Sequence, residues 1–454
     1  MNTQIFREYD IRGTVDPDLS DEVVTDIGRA YAAYMREKGK KTVSLARDCR
    51  LSSEHLRDVL LSGMMEGGLH VIDLGLIPTG LFYFSLFNYD VDGGVMITGS
   101  HNPGDQNGFK IAFEKATIFG EEIQKLKKII EERRFLTGEG SCERYTDLVN
   151  DYYRFLRTNI SLKNRFNIVL DAGNGTAGVV ALPILREMGQ QVTELFCDMD
   201  GRFPNHHPDP TVEKNLVDLR RMVVEKNADV GIGYDGDGDR IGVIDEKGGI
   251  IWGDYLMIIF ARDILKRHKG ATIVSEVKCS TNLFDQVEKS GGNPIMWKAG
   301  HSLIKQKMKE TGALLGGEMS GHVFFGERFF GYDDAIYATL RLLEIMGNDD
   351  RPLSEYLADL PKMYSTPEIR IDCPDTLKFD VVKSLTEYYR ERYKVIDIDG
   401  VRVILQGGWG LVRPSNTGPI LVLRFEATTE DGLKKIQDMV TGDLTRIMEE
   451  RRAH

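Results

Sequence analysis

The sequence lacks what several classes of protein need. Cysteine is scarce: Cys49, Cys142, Cys197, Cys279 and Cys373 are the only five in 454 residues. They are odd in number, scattered and free of any C-x-x-C pair, which excludes a zinc ribbon or a disulfide framework and fits a reducing, cytoplasmic compartment. As thiols most of them read as small core residues. No apolar run approaches the roughly 20 residues that span a bilayer. The start, M-N-T-Q-I-F-R-E-Y-D, has no apolar stretch behind a positive end, so no secretory signal is visible. Positive charge is in deficit, with 58 Lys and Arg against 70 Asp and Glu and a formal net charge of -12. That balance argues against nucleic acid or a membrane as partner. An anionic substrate must therefore be met by basic side chains gathered locally.

The length exceeds what one core fills, so several domains are expected. One unit recurs at spacings on the order of 100 residues. Val43-Ser44-Leu45-Ala46 leads into the polar loop Arg47-Asp48-Cys49-Arg50, a helical pattern through Met65, Gly67-Gly68 and the strand-like Val71-Ile72. Ile168 to Leu170 leads into Asp171-Ala172-Gly173-Asn174-Gly175, a helical stretch to Met188, Gly189 and another apolar run. Ile273-Val274 leads through Glu276-Val277-Lys278-Cys279-Ser280 and an amphipathic segment to Gly291-Gly292. Strand, polar loop, helix and glycine in this order predict three related βαβ-type domains, with parallel sheets between helices. From about Tyr364 the pattern changes to short strands between two helices, Phe379 to Tyr393 and Gly432 to Glu450, which predicts an α+β domain on an antiparallel sheet. Thr366-Pro367 stands at its entrance as a candidate hinge.

Four stretches carry chemistry. In the first, Gly93 to Phe113, the apolar Val95-Met96-Ile97 breaks into a loop with Ser100 and His101, and Asn107-Gly108 is a hairpin signal leading into a second apolar run that carries Lys110. The arrangement displays a serine hydroxyl between two strands, although an ordinary hairpin would look the same. A serine hydrolase is disfavoured, because the G-x-S-x-G elbow is missing and adjacent side chains rarely face each other.

The second stretch, Gly231 to Asp245, reads G-I-G-Y-D-G-D-G-D-R-I-G-V-I-D. Asp235, Asp237 and Asp239 alternate with glycines and offer only oxygen, which suits Mg²⁺. An EF-hand would place Glu246 as its last ligand, but Arg240 stands where that loop needs glycine and the flanks read as strands. Three carboxylates this close repel unless a cation joins them.

The third gathers Lys298, Ala299, Gly300 and His301, then Glu318, Ser320 and His322 at alternate positions of G-G-E-M-S-G-H. His301 is a candidate acid or base or a plain surface histidine. Glu318, Ser320 and His322 suit a clamp for sugar hydroxyls, or a buried hydrogen-bond network. The fourth, R-P-S-N-T-G-P, offers Arg413, Ser415, Asn416 and Thr417 to a phosphate.

Together these motifs resemble the α-D-phosphohexomutase superfamily. T-G-S-H-N-P is similar to its phosphoserine loop, D-G-D-G-D-R to its metal loop, G-E-M-S-G-H to its sugar loop and R-P-S-N-T-G to its phosphate loop, in family order and across the whole chain. G-E-M-S-G-H, F-R-E-Y-D-I-R-G and W-K-A-G-H-S look most like the bacterial phosphomannomutase/phosphoglucomutase branch; Gly99 and Ala299 depart from the alanine and threonine common there. Gly99 is expected only to loosen its loop, and Ala299 to lose a side-chain contact.

The resemblance implies an α/β fold with three related mixed α/β domains plus a C-terminal α+β domain around a central active-site cleft. The expected domains are residues 1–146 with the phosphoserine loop, 147–249 with the metal loop, 250–362 with the sugar loop and 363–454 with the phosphate loop. It implies interconversion of hexose 1-phosphate and hexose 6-phosphate, of mannose and/or glucose, through phosphorylated Ser100 and a hexose 1,6-bisphosphate. Mg²⁺ would sit on Asp235, Asp237, Asp239 and the Ser100 phosphate, with glucose 1,6-bisphosphate as activator. Arg12, Arg240 and Lys278 would supply positive potential, and Lys110 or His301 would move the hydroxyl proton, with His101 and Tyr9 nearby. Tyr9, Lys298, Glu318, Ser320, His322, Arg413, Ser415, Asn416 and Thr417 would bind substrate. A monomer or weak homodimer is expected. A phosphoglucosamine mutase, a metal-dependent sugar phosphatase and a non-enzymatic phosphosugar- or calcium-binding protein are the rivals.

Overall fold

Each recurring unit opens with an aliphatic run that forms a largely buried strand: Thr42–Arg47, Asn167–Asp171 and Thr272–Glu276. A helix follows, Ser53–Glu66, Gly178–Glu187 and Thr281–Lys289, and then a strand parallel to the first, His70–Leu76, Gln191–Leu195 and Asn293–Trp297. Gly68, Gly189 and Gly291, just past the three helices, take φ of 82°, 84° and 81°. That left-handed geometry ends a helix and strains the backbone of any residue that carries a Cβ. The structure is a computed structural model and describes residues 1–416 and 418–452. Thr417, expected in the phosphate loop, lies outside the described residues.

On the other side of its first strand each sheet takes on an antiparallel hairpin. The pairs are Gly93–Ile97 with Gln106–Phe113, Val230–Tyr234 with Ile241–Asp245, and Leu315–Gly317 with Val323–Phe325. The three sheets therefore share one strand order, in which the hairpin's inner strand runs parallel to the unit's first strand. This corrects the expected parallel sheets: only their centres are parallel, and the sheets are mixed. Antiparallel neighbours need no crossover helix, so each hairpin loop stays short and stands beside the polar loop of its own unit.

Asn107-Gly108 is not the hairpin turn. The loop spans residues 98–105, and both residues lie inside the second strand, opposite Gly13 and Arg12 of the strand Ile11–Thr14. A Cβ on Gly108 would stand 2.5 Å from the Ile11 carbonyl, so glycine admits the neighbouring strand there. The Asn107 amide donates to the Ser52 and Ser53 hydroxyls, 2.9 Å each.

The three α/β domains share one continuous core. Phe84, Tyr152, Phe155, Phe329, Phe330 and Tyr337, from all three, pack ring against ring, with Phe84–Tyr152 at 5.4 Å, Phe155–Phe330 at 5.5 Å and Phe329–Tyr337 at 3.9 Å. The last domain has its own core around Val381, Leu385, Val403, Leu423 and Val440. There the helices Asp375–Arg390 and Glu430–Arg452 cover a wholly antiparallel sheet, as expected for α+β. Thr366-Pro367 is not a free joint. Tyr364 and Ser365 already pair with Ala427 and Glu426, and Thr366 N donates to Phe425 O at 3.0 Å, so this dipeptide belongs to the last domain's sheet.

All five thiols are free; Cys197, Cys279 and Cys373 are buried as expected, but Cys49 is half-buried and Cys142 exposed. Among the described residues no helix is long and apolar enough to cross a membrane.

Candidate active site

Ser100 sits in the loop of the first hairpin with φ of 48°, left-handed for a residue with a side chain. Its side chain is nearly buried, at 3 % exposure. The Oγ donates to Asp235 Oδ2 at 2.8 Å and lies 3.0 Å from His101 Nδ1. Adjacent side chains do face each other here, against expectation, because the left-handed backbone turns Ser100 toward its neighbour. Burial, helped by Arg240 and Arg12, holds the His101 pKa well below its ordinary value, so the ring is neutral. Arg12 donates to Asn102 Oδ1 in the same loop at 2.8 Å and to Asp10 at 2.6 Å. Gly99 does not loosen this loop. A Cβ there would fall 2.5 Å from the guanidinium carbon of Arg50, which packs in its place.

The second hairpin brings up the aspartates. Asp235, Asp237 and Asp239 are each 0 % exposed, and an oxygen from each lies within 4.8 Å of the others. Asp235 Oδ1 closes the loop by accepting from the backbone N of Asp239 and Arg240, 3.1 Å each. Thr79 Oγ1 donates to Asp237 Oδ2 at 2.7 Å. Lys110 Nζ donates to Asp237 Oδ2 at 2.8 Å and also to Asp239 Oδ2. Burial opposes the Lys110 charge, yet the two carboxylates outweigh it and hold the ammonium well above its ordinary pKa. Lys110 is thus held as a cation against Asp237 and Asp239.

The triad fits a hard divalent ion. Asp237 Oδ1 and Asp239 Oδ1 are buried without hydrogen-bond partners, and three carboxylates face one ammonium and one guanidinium, those of Lys110 and Arg240. Burial and then Asp239 and Asp237 push the Asp235 carboxyl well up, as expected where negative charge is in excess. The EF-hand alternative fails, since Glu246 turns away to accept from Ser354 N and Oγ at 3.0 and 2.5 Å, and strands flank the loop.

His322 faces this group. Arg240 Nε donates to His322 Nε2 at 2.9 Å, and His322 Nδ1 lies 3.0 Å from Asp333 Oδ2 and 3.7 Å from Asp239 Oδ1. Lys305 in turn donates to Asp333 Oδ1 at 3.1 Å. The His301 and His322 rings stack at 5.7 Å, and Tyr9 meets His301 edge-on at 6.2 Å. His301 is half-buried, its Nδ1 is enclosed without a partner, and burial followed by Lys305 keeps its pKa well below the usual value.

The remaining residues form a second group that Tyr9 joins to the first. Tyr9 OH donates to Ala299 O at 2.8 Å and accepts from Asn416 Nδ2 at 2.7 Å. Glu318 Oε1 accepts from Gly300 N at 2.6 Å. Ala299 keeps its place through backbone alone, its N donating to Asp399 Oδ2 at 3.0 Å, and the same oxygen accepts Arg413 Nε at 2.8 Å. Lys278 Nζ lies 3.4 Å from Glu276 and 3.2 Å from Glu368. Ser320 is half-buried in the sugar loop, and the Ser415 carbonyl accepts from Lys378 at 2.5 Å. Lys298 is exposed, where its charge bears on Glu8.

Several residues of the site carry no motif signal. Thr79, Asp333, Lys305, Asp399 and Glu368 are brought in only by the folding of distant segments. Arg50 and Glu276 were visible in the polar loops of the repeats, but nothing in those loops says which hairpin they touch.

Comparison with known families agrees with this geometry. The models of phosphoglucomutase/phosphomannomutase alpha/beta/alpha domains I, II and III match residues 3–137, 143–249 and 252–364, and that of the C-terminal domain matches residues 368–442. The chain belongs to the phosphoglucomutase/phosphomannomutase family. The phosphomannomutase/phosphoglucomutase of Pseudomonas aeruginosa is 45% identical over 441 residues, 97% of this chain and 95% of that protein. The phosphoglucomutase of Neisseria gonorrhoeae is 44% identical over 439 residues, covering 96% and 95%. A crystal structure of a phosphoglucomutase/phosphomannomutase family protein from Burkholderia thailandensis superposes with a TM-score of 0.91 at 41% identity, over 100% of this chain and 98% of that one. T-G-S-H-N-P, D-G-D-G-D-R, G-E-M-S-G-H and R-P-S-N-T-G therefore stand one per matched domain.

Proposed function

We propose that the protein interconverts hexose 1-phosphate and hexose 6-phosphate, of mannose and/or glucose, through phosphate carried on Ser100 and a hexose 1,6-bisphosphate. The observation that carries this reading is the Ser100 hydroxyl set 2.8 Å from a buried carboxylate triad in need of a cation. Phosphoryl transfer needs positioning and charge stabilisation more than covalent help. Mg²⁺ held by Asp235, Asp237 and Asp239 would place positive charge on the phosphoryl oxygens. Lys110, Arg240 and Arg12 add to that potential, and His322 orients Arg240. Neutral His101 exchanges the Ser100 proton at Nδ1, and neutral His301 takes the sugar hydroxyl proton. Glu318 and Ser320 hold sugar hydroxyls in either orientation. Arg413, Lys278, Ser415, Asn416 and Thr417 grip the phosphate that is not reacting, with Tyr9 between the two groups and Lys298 at the rim. Glucose 1,6-bisphosphate restores phosphate lost from Ser100.

We place the domain boundaries at residues 146, 249 and 362, and take the protein as cytoplasmic, a monomer or weak homodimer. Phosphorus NMR with mannose 1-phosphate or glucose 1-phosphate, Mg²⁺ and a trace of glucose 1,6-bisphosphate tests the activity. Growth of the 6-phosphate signal is expected. Growth of inorganic phosphate instead would favour a sugar phosphatase, and turnover of glucosamine phosphates alone a phosphoglucosamine mutase.

The phosphate grip should depend on pH through Glu276. This carboxylate is fully buried, accepts from Met319 N at 2.9 Å and stands beside Lys278. Burial pushes its pKa up to about 7, against the pull of Lys278. Below that pH it is neutral, and the Lys278 charge is left more fully to the substrate. The KM should therefore fall as pH drops from 8 to 6, and Glu276→Gln should remove that dependence by about threefold or more. The ratio of KM between wild type and variant cancels the titration of the substrate phosphate. For stability the sign is also fixed: the folded form holds this proton more tightly, so the contribution falls as pH rises from 4.5 to about 7.

A further inference from the structure

The polar loop of the first repeat has a side chain that the reaction scheme leaves unused. Arg50 is 1 % exposed, and its guanidinium holds three carbonyls of the Ser100 loop and that of the first residue after it. Nη2 donates to Ser100 O at 2.8 Å and Asn102 O at 2.6 Å, and Nη1 to Pro103 O at 2.6 Å and Gln106 O at 2.9 Å. Asp48 fixes the arginine from behind, 3.3 Å from its Nε, and accepts Gly99 N at 3.2 Å with the same oxygen. The carbonyl between the two held by Nη2, that of His101, accepts from His207 Nε2 of the second domain. Gly99 offers the space: a side chain there would meet Arg50 Cζ and Nε at 2.5 Å. The other repeats brace their hairpin loops from the same place. Thr176 N donates to Gly236 O at 3.0 Å, and Glu276 accepts from Met319 N.

We propose that Arg50 is the positioning residue that sets Ser100 to pass its phosphoryl group to a sugar hydroxyl rather than to water, and that Gly99 is glycine to admit its guanidinium. This rests on the mutase reading above. Ser100 is held in a strained left-handed conformation, which persists only where its surroundings fix it. A planar guanidinium with five donors can serve four carbonyls at once, whereas an ammonium has three donors and no fork. If the loop loosens, the phosphoserine swings away from the sugar and water reaches it. Water oxygen then bonds to phosphorus, the P–Oγ bond breaks, Ser100 recovers its proton and inorganic phosphate leaves.

The test compares wild type, Arg50→Lys and Gly99→Ala, each well below its own melting temperature, by mutase kcat and KM and by inorganic phosphate released per mutase turnover. In Arg50→Lys kcat should fall about 100-fold with KM within about threefold, and phosphate release per turnover should rise about tenfold or more. Gly99→Ala should move both quantities the same way although Arg50 is intact. Melting curves report folding separately. Folded variants whose ratio of phosphate release to mutase turnover equals that of wild type would overturn the proposal, even if their rates fall. A wild type with no mutase turnover would overturn the functional reading itself, so the two failures are distinguishable.

Discussion

Ser100→Ala is expected to lower mutase turnover on the order of 10⁴-fold or more, the scale on which loss of an enzyme nucleophile is felt. The reason lies in what the hydroxyl touches. Its Oγ meets Asp235 Oδ2 on one side and His101 Nδ1 on the other, and among the described residues no other hydroxyl bridges the triad and this imidazole. Substrate binding should survive, because Glu318, Lys278, Arg413 and Asn416 stand in other loops and share no hydrogen bond with Ser100. The measurement pairs phosphorus NMR for turnover with calorimetric titration for affinity. Loss of turnover with an affinity within about threefold of wild type is the expected pattern. Turnover retained by the alanine variant would show that phosphate is carried elsewhere.

The second large effect concerns the aspartates, where function and stability should move in opposite directions. Removing divalent ions with a chelator is expected to lower kcat about 1,000-fold, and added Mg²⁺ to restore it. Asp235→Asn should lose activity on a similar scale and should no longer gain melting temperature from Mg²⁺. Without metal, however, the same variant should melt higher than wild type. Three carboxylates at 0 % exposure face one ammonium and the Arg240 guanidinium, so the metal-free site has excess negative charge in low dielectric. Asparagine keeps an oxygen in place for the backbone N–H groups of Asp239 and Arg240 while removing one charge. Burial raises the Asp235 carboxyl, so the wild-type penalty grows as pH climbs above the ordinary carboxylate range, and the variant should flatten that slope. Thermal melts with and without Mg²⁺ at several pH values check both signs. A metal-free variant that melts lower at neutral pH would show that Asp235 is held by contacts worth more than its charge costs.

Much of the fold was legible because each repeat announces itself locally. An aliphatic run, a polar loop, a helical pattern and a glycine set one strand, one turn, one helix and one left-handed stop, and Gly68, Gly189 and Gly291 follow that rule with almost the same φ. The strands around the aspartates and the α+β end were likewise readable from pattern. Asn107-Gly108 was misleading for a nonlocal reason: the strand Ile11–Thr14, almost 100 residues earlier, lies against Gly108 and takes the pair into a sheet. Thr366-Pro367 resembled a hinge because local stiffness is visible in sequence, while its pairing with Phe425 is not.

The sequence by itself determined the parts list: a serine between strands, an oxygen-only triad, a sugar loop and a phosphate loop, each specified by residues a few positions apart. Only the tertiary structure decided their states. Lys110 stood on its strand as a candidate for moving a hydroxyl proton, and Asp237 and Asp239, more than 120 positions away, are what hold it as a cation. Gly99 looked like slack until Arg50 was seen to fill its place. Side-chain type and spacing are encoded locally, whereas charge state and rigidity depend on burial and on partners that meet only when the chain folds.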